Sequence, residues 1–386
     1  MCAEAVTLGA TSRRLVAPPS TPPRATQHGR SWIIVVAKRA LTREAVHLRR
    51  GIVSKIAAAE ISIRRSNRLV SLAGILLALV GFTPSSEPAL GANTSDWITA
   101  LRREPIHIGT WPEAKKVAVC FVLYVEVWGY GHGPNFRSDM VDRDPDIVDE
   151  SFRQYAIDWG ITRIGRLFKE EQLPLSVALN AQFPEQHPGI WDELHSLVPN
   201  APIIAHGMNN STELLPLGRG IAAQEEYVRR TLDLTQKYTG VRPRGWSSPS
   251  VFPNAETFTA TTAEGIRYTL DGMDSDVLTR LLTQSGPLVL IPYPAVTVDM
   301  GQYLSRAKEP NDLERLWVDY VTELAREAEA DPAREATIVA IGIHPFVVGT
   351  PVGAAALRRV LQNFKQQQRV WVADVEAVLA AAGEKP

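Results

Sequence analysis

The chain has 386 residues, 45% hydrophobic and 22% charged, with a formal net charge of -1. That composition excludes a disordered or collagen-like chain, and the near neutrality argues against a general nucleic-acid binder. Two cysteines, Cys2 and Cys120, exclude a disulfide scaffold and a cysteine-rich zinc site. The neutrality is a cancellation, because residues 1–92 carry 13 Lys+Arg against 4 Asp+Glu and residues 93–386 carry 28 against 38. The sequence divides into a basic leader, 1–92, and an acidic body, 93–386.

Within the leader, residues 69–82 read LVSLAGILLALVGF, preceded by Arg64, Arg65 and Arg68 and followed by the small residues Ala89, Gly91 and Ala92. A basic region, a short apolar core and a small-residue exit make the pattern of an export signal. The core falls short of the roughly 20 apolar residues of a comfortable membrane span. The expectation is an exported protein, periplasmic or secreted, with no stable membrane span in the mature chain; an uncleaved signal would anchor it. The 63 residues before Arg64 are unusual for such a signal, and a translation start near residue 64 would explain them.

The body alternates strand-like and helical runs. Residues 117–127 (VAVCFVLYVEV) are dense in β-branched and aromatic types and read as a fully buried strand, in which Cys120 is a small buried hydrophobe. A Gly- and Asp-rich loop follows, then a helix carrying Ile157, Ile161, Ile164, Leu167 and Phe168 at three- and four-residue spacing. Further strands are expected at 175–179, 203–205, 268–270, 288–293, 337–343 and 370–372. Helices are expected around Trp191 and over 222–238 (stopped by Gly240), 311–330, 353–364 and 375–382. About seven strand–helix units imply a parallel sheet, either closed as a barrel or open and doubly wound. No glycine fingerprint for dinucleotides and no phosphate-binding loop is present.

In a parallel α/β architecture the chemistry collects at the carboxyl ends of the strands. Polar residues punctuate those ends here: Glu126, Asn180, His206 with Asn209 and Asn210, Trp246-Ser247-Ser248, Asp271, Asp299 and His344. His132 and His187 read as loop and surface residues, and Asp274 and Asp276 as loop solvation or site. Ser247 and Ser248 lack the GxSxG elbow of a serine hydrolase.

The order of an acidic residue after the first strand, AHGMNNS (205–211), TGVRPRGWSSP (239–249), YTLDGMDSD (268–276) and IGIHPFVVGTP (341–351) resembles the polysaccharide deacetylase (NodB-homology) superfamily. The likeness covers residues 105–380 and is nearest to the allantoinase-like branch. It implies a distorted (β/α) barrel of about seven parallel strands and hydrolysis of carbon–nitrogen bonds other than peptide bonds.

The departures from that pattern are specific. Where metal-dependent members carry an Asp-Asp pair, this chain has Val125 and Glu126; where they carry two histidines four residues apart, it has His206 and Asn210; their arginine is replaced by Ser247. Glu126 and His206 are then the only two metal ligands of the set, so the third is missing, whereas a catalytic zinc wants three and an open position. The expectation is no cofactor, or a weakly bound divalent metal such as zinc. Glu126 is the candidate base, with His206, His344 and Asp271 as further catalytic candidates. Asn209, Asn210, Trp246 and Ser247 are candidate substrate contacts. The substrate expected is a small amide or ureide or an N-acetylated sugar, with no nucleic-acid partner; a homo-oligomer is left open. The alternative is a catalytically inactive barrel that binds carbohydrate.

Overall fold

The computed structural model describes residues 102–134 and 147–385. The leader, including the apolar core at 69–82, lies outside the described residues. The first strands are β1 (Arg102–Pro105) and β2 (Val117–Val125). Helix α1 (Ile147–Tyr155) passes through a π turn (Ala156–Gly160) into α2 (Ile161–Glu171). Next come β3 (Ser176–Leu179), α3 (Pro188–Leu197), β4 (Ile203–Ala205), α4 (Ile221–Thr239) and the two-residue β5 (Gly245–Trp246). The second half runs α5 (Ala255–Ala263), β6 (Tyr268–Gly272), β7 (Thr279–Thr283), β8 (Gly286–Pro292) and α6 (Pro310–Ala330). It ends with β9 (Thr337–Ile343), α7 (Pro351–Gln366), β10 (Val370–Val372) and α8 (Val375–Ala381).

Seven strands form a continuous parallel array in the order β9-β2-β3-β4-β5-β6-β8. β10 shares with β3 one edge of β2, opposite β9. The expected barrel is thus present, and it is distorted at one seam. The edge of β8 that would close on β9 is taken by antiparallel β7, itself paired with β1. Side chains span the gap instead. Tyr293, just beyond β8, lies over Gly342 of β9, where a Cβ would come within 2.1 Å of its hydroxyl. The Thr297 hydroxyl donates to the Ala340 carbonyl at 2.9 Å, and Trp317 from α6 donates to the Thr297 carbonyl at 3.0 Å.

The two-residue period of a strand sorts its side chains between barrel interior and helical shell. In β2, Val117, Val119, Phe121, Leu123 and Val125 join the cluster that includes Ile164, Phe168, Leu357 and Phe364 of the surrounding helices. Ala118, Cys120, Val122 and Tyr124 face the interior with Ile204, Tyr268, Ile291 and Ala340. Cys120 has no exposed surface, and burial pushes its thiol pKa far up, so it packs as a small apolar side chain. The sequence patterns located the long elements within a few residues. They missed β1, β5 and β7, which are short or lie on the sheet's edge, and they missed α5, whose Asn254–Thr257 capping box is reciprocal.

The seam yields a stability test. Gly342→Val is expected to lower the unfolding free energy by about 1–3 kcal/mol, because the buried Tyr293 ring must be displaced. A urea midpoint equal to that of the wild type would show that Tyr293 is not held against β9.

Candidate active site

The parity that fills the interior also aims the polar residues. One two-residue step beyond Tyr124 brings Glu126 to the inner rim, and the same step carries β3 from Ala178 to Asn180 and β4 from Ile204 to His206. In β9 it leads from Ala340 through Gly342 to His344. Glu126 is 2% exposed, His206 1% and His344 2%. Gly207, at φ +69°, turns the chain directly after His206; a side chain there would meet the Tyr227 hydroxyl at 2.6 Å.

Two buried acid–histidine pairs form the site. In the first, His206 Nε2 lies 3.1 Å from Glu126 Oε1 and Nδ1 lies 2.8 Å from the Ser247 carbonyl. A carbonyl only accepts, so Nδ1 carries a hydrogen. Asn210 Nδ2 donates to the same Oε1 at 2.6 Å, while its Oδ1 accepts from the Ser250 N–H at 2.9 Å. Because that N–H can only donate, the amide orientation is fixed, with its NH2 toward Glu126. Ser250 adopts φ +58°, a left-handed conformation that is costly for serine, and the Asn210 bond helps to hold it. Glu126 Oε2 is buried and has no hydrogen-bond partner among the described residues.

In the second pair, His344 Nδ1 lies 2.6 Å from Asp299 Oδ1, and the His344 backbone N–H donates to Asp299 Oδ2 at 2.7 Å. Burial disfavours the imidazolium, but Asp299 and, more distantly, Glu126 outweigh it and raise the His344 pKa above its ordinary value. The Tyr124 ring stands between the pairs, stacked on His344 at 4.7 Å and edge-on to His206 at 4.9 Å.

The remaining sequence candidates fall in different places. Asp271 accepts from the Ser248 N–H at 2.8 Å and the Ser248 hydroxyl at 2.6 Å. Burial raises its pKa against those bonds. It makes no hydrogen bond to Glu126, His206 or His344; it holds the 247–248 turn and borders a cavity of about 490 Å3 with Phe258 and Met273. Trp246 corrects the expectation of a pocket wall. It has no exposed surface, packs against Tyr227, and donates to the Ser248 hydroxyl at 3.0 Å. Asn209 is likewise a loop organiser, its Oδ1 accepting from the N–H groups of Ser211, Thr212 and Glu213 and its amide donating to Gln182. Ser247 contributes its carbonyl to His206, and its hydroxyl meets the Tyr124 hydroxyl at 3.2 Å. Asp274 pairs with Arg103, Asp276 bonds Tyr320, and His132 is exposed on its loop.

Sequence reasoning gave too little weight to Asn180 and Asp299 and passed over Tyr124. Asn180 Oδ1 accepts from the Val127 N–H at 2.9 Å and its amide donates to the His206 carbonyl, so it fixes the backbones on both sides of the first pair. Its place at a strand end was the available signal, as it was for Asp299, but nothing local shows that Asp299 reaches His344 across the barrel seam.

No known family profile matches the sequence, and no curated protein does. Solved structures do. A probable polysaccharide deacetylase from Pseudomonas aeruginosa PAO1 is 24% identical over 72% of this chain and 94% of its own, with a TM-score of 0.60. A Mycobacterium smegmatis protein described as a polysaccharide deacetylase is 22% identical over 74% and 97%, at 0.59. The PuuE allantoinase is 25% identical over 72% and 93%, at 0.61. The chain has the fold that these polysaccharide deacetylases and the allantoinase share, that of the NodB-homology superfamily.

The metal that the superfamily resemblance implies can be tested against this NodB-homology barrel. Among the described residues, no group of three or more His, Cys, Asp or Glu stands together as a metal site. Asn210, in place of a ligand, turns its amide nitrogen toward Glu126 and commits its oxygen to Ser250. Glu126 and His206 are left as two ligands, already bonded to one another, a set that holds a divalent ion weakly at most. The donor set does not fit a deacetylase-type metal centre. Asn210→His supplies a third ligand, a second imidazole, beside Glu126 and His206. The variant is expected to bind zinc or cobalt near 1:1 by titration calorimetry while the wild type does not. Stoichiometric zinc on the wild type would contradict the donor reading.

Proposed function

We propose that this chain hydrolyses a carbon–nitrogen bond, other than a peptide bond, in a small amide or ureide. The observation that carries the reading is the division of labour at Glu126. One carboxylate oxygen is held by His206 and Asn210; the other is buried and has no hydrogen-bond partner among the described residues, so it is the oxygen left to take a proton once substrate and water enter. A carboxylate fixed in this way takes a proton from water as it attacks the substrate carbonyl. His344 faces the opposite task. Its Nδ1 is committed to Asp299, so Nε2 is the nitrogen that meets substrate, and its raised pKa keeps it protonated to donate to the developing oxyanion or the leaving nitrogen.

The near-complete burial of Glu126, His206 and His344 favours a small substrate over a polymer. An inactive, carbohydrate-binding barrel is favoured by one observation, the capture of Glu126 by Asn210 where a metal would otherwise sit. A panel of linear amides, cyclic ureides and N-acetylglucosamine oligomers separates the readings. Turnover of a ureide or amide supports the proposal, and glycan binding without turnover of any member overturns it.

Glu126→Gln is expected to lower kcat by about 10²–10⁴-fold with the fold retained by circular dichroism. The pH profile follows from the direction of the His344 shift. An acid whose pKa is raised stays protonated to higher pH, so the alkaline limb of kcat should lie above the ordinary histidine value of about 6.5. A limb at or below that value would remove His344 from the role of acid.

We further propose that the protein is exported, on the strength of the leader pattern alone. None of the described helices is long and apolar enough to cross a membrane. Residues 1–92 fused to a reporter that is active only outside the cytoplasm should give signal, and a silent but intact fusion would remove the export reading.

A further inference from the structure

Tyr124 touches both acid–histidine pairs, yet nothing in the reaction outlined above uses it. Its ring lies parallel to His344, with 4.7 Å between centroids and 5° between planes, and meets His206 edge-on at 75°. Its hydroxyl is 3.2 Å from the Ser247 hydroxyl, on the residue whose carbonyl receives the His206 Nδ1–H. Tyr293, on the far side of the barrel seam, closes the group with its ring 6.0 Å from that of Tyr124. Burial raises the phenol pKa far above its usual value, so the hydroxyl is neutral throughout the working range and cannot serve as a base.

We propose that Tyr124 is the positioning residue that sets the two pairs relative to one another, its ring fixing the plane of His344 and its hydroxyl fixing Ser247 and, through it, His206. The inference rests on the proposed hydrolytic role of the two pairs, but its physical content does not depend on the substrate. A planar cation lying on an aromatic face is stabilised by the ring quadrupole, so the stack favours the His344 imidazolium as well as its orientation. Asp299, Glu126 and the neutral phenols of Tyr124 and Tyr293 are the titratable groups that surround it. The edge contact and the hydroxyl bond act on His206 away from its Nε2 contact with Glu126. Each function belongs to a different part of the side chain, which makes the two separable by mutation.

Tyr124→Phe keeps the ring and removes the hydroxyl; Tyr124→Leu removes both. The full-length variants are compared by NMR titration of the histidine ring resonances, which needs no substrate, and by steady-state kinetics on whichever substrate the wild type turns over. For Tyr124→Leu the His344 midpoint is expected to fall by about half a pH unit, the equivalent of a modest cation–π contact. Its kcat is expected to fall about 100-fold at nearly constant KM, the scale of a small misplacement of a catalytic group. Tyr124→Phe should restore the His344 midpoint and leave a smaller loss in kcat, of about tenfold, arising from the loosened Ser247 contact. An unchanged His344 titration in Tyr124→Leu would overturn the ring's role, and wild-type kcat in Tyr124→Phe would overturn that of the hydroxyl. If Tyr124→Leu does not fold, the near-isosteric Phe variant still decides through Ser247. Because the titration is read without turnover, a chain with no hydrolytic activity would defeat the functional proposal while leaving the positioning claim to stand or fall on its own.

Discussion

A carboxylate sealed inside a barrel costs several kcal/mol unless its charge is met by donors, and much at this site follows from how Glu126 is met. Both of its partners, His206 Nε2 and Asn210 Nδ2, converge on one oxygen. Each is anchored in turn by a backbone group that leaves it no choice of orientation: the Ser247 carbonyl for His206, the Ser250 N–H for Asn210. Asn180 clamps the backbones that carry the pair, and Asp271 holds the turn that supplies Ser247. The outcome is a carboxylate with one oxygen bonded twice and the other buried without a partner among the described residues.

The second pair answers the first with the opposite polarity. Asp299 receives both the backbone N–H and the ring nitrogen of His344, so the imidazole is fixed in position and held toward its protonated form. In the hydrolysis proposed above, base and acid are thereby built from the same two residue types. Environment alone separates their roles, which is the usual way one protein runs both halves of an acid–base reaction. Within this arrangement Asn210 matters as much as any charged residue. Its amide donates a hydrogen bond to Glu126 and so occupies the place where the resembling superfamily's pattern would put a third ligand.

The strained and short elements of the fold cluster around these contacts. Ser250 takes a left-handed conformation beside Asn210, β5 is only two residues long before the Ser247-Ser248 turn, and the register of β6 slips between Thr269 and Gly272, next to Asp271. The barrel seam serves the site as well. Because β7 occupies the closing edge of β8, the chain beyond β8 is free to cross to β9, and that crossing delivers Asp299 to His344. A perfectly closed barrel would spend this segment on ladder hydrogen bonds.

By itself, the sequence determined the parallel α/β class, the long strands and helices, and the strand-end positions of Glu126, His206 and His344, because local periodicity and buried β-branched runs are properties of neighbouring residues. It also showed, through Asn210 and Val125, that the metal ligand set of the resembling superfamily was incomplete. Tertiary structure alone decided which candidates meet. Trp246 and Asn209 carry the composition of site residues but are committed to core packing and to a turn, since their partners, Tyr227 and the 211–213 backbone, are not marked by any local pattern. Asp299 and Tyr124 became part of the site only through contacts across the barrel, between residues far apart in the chain. Local physics fixes where a side chain stands on its own strand; what it faces depends on how the strands close, and that is a property of the whole fold.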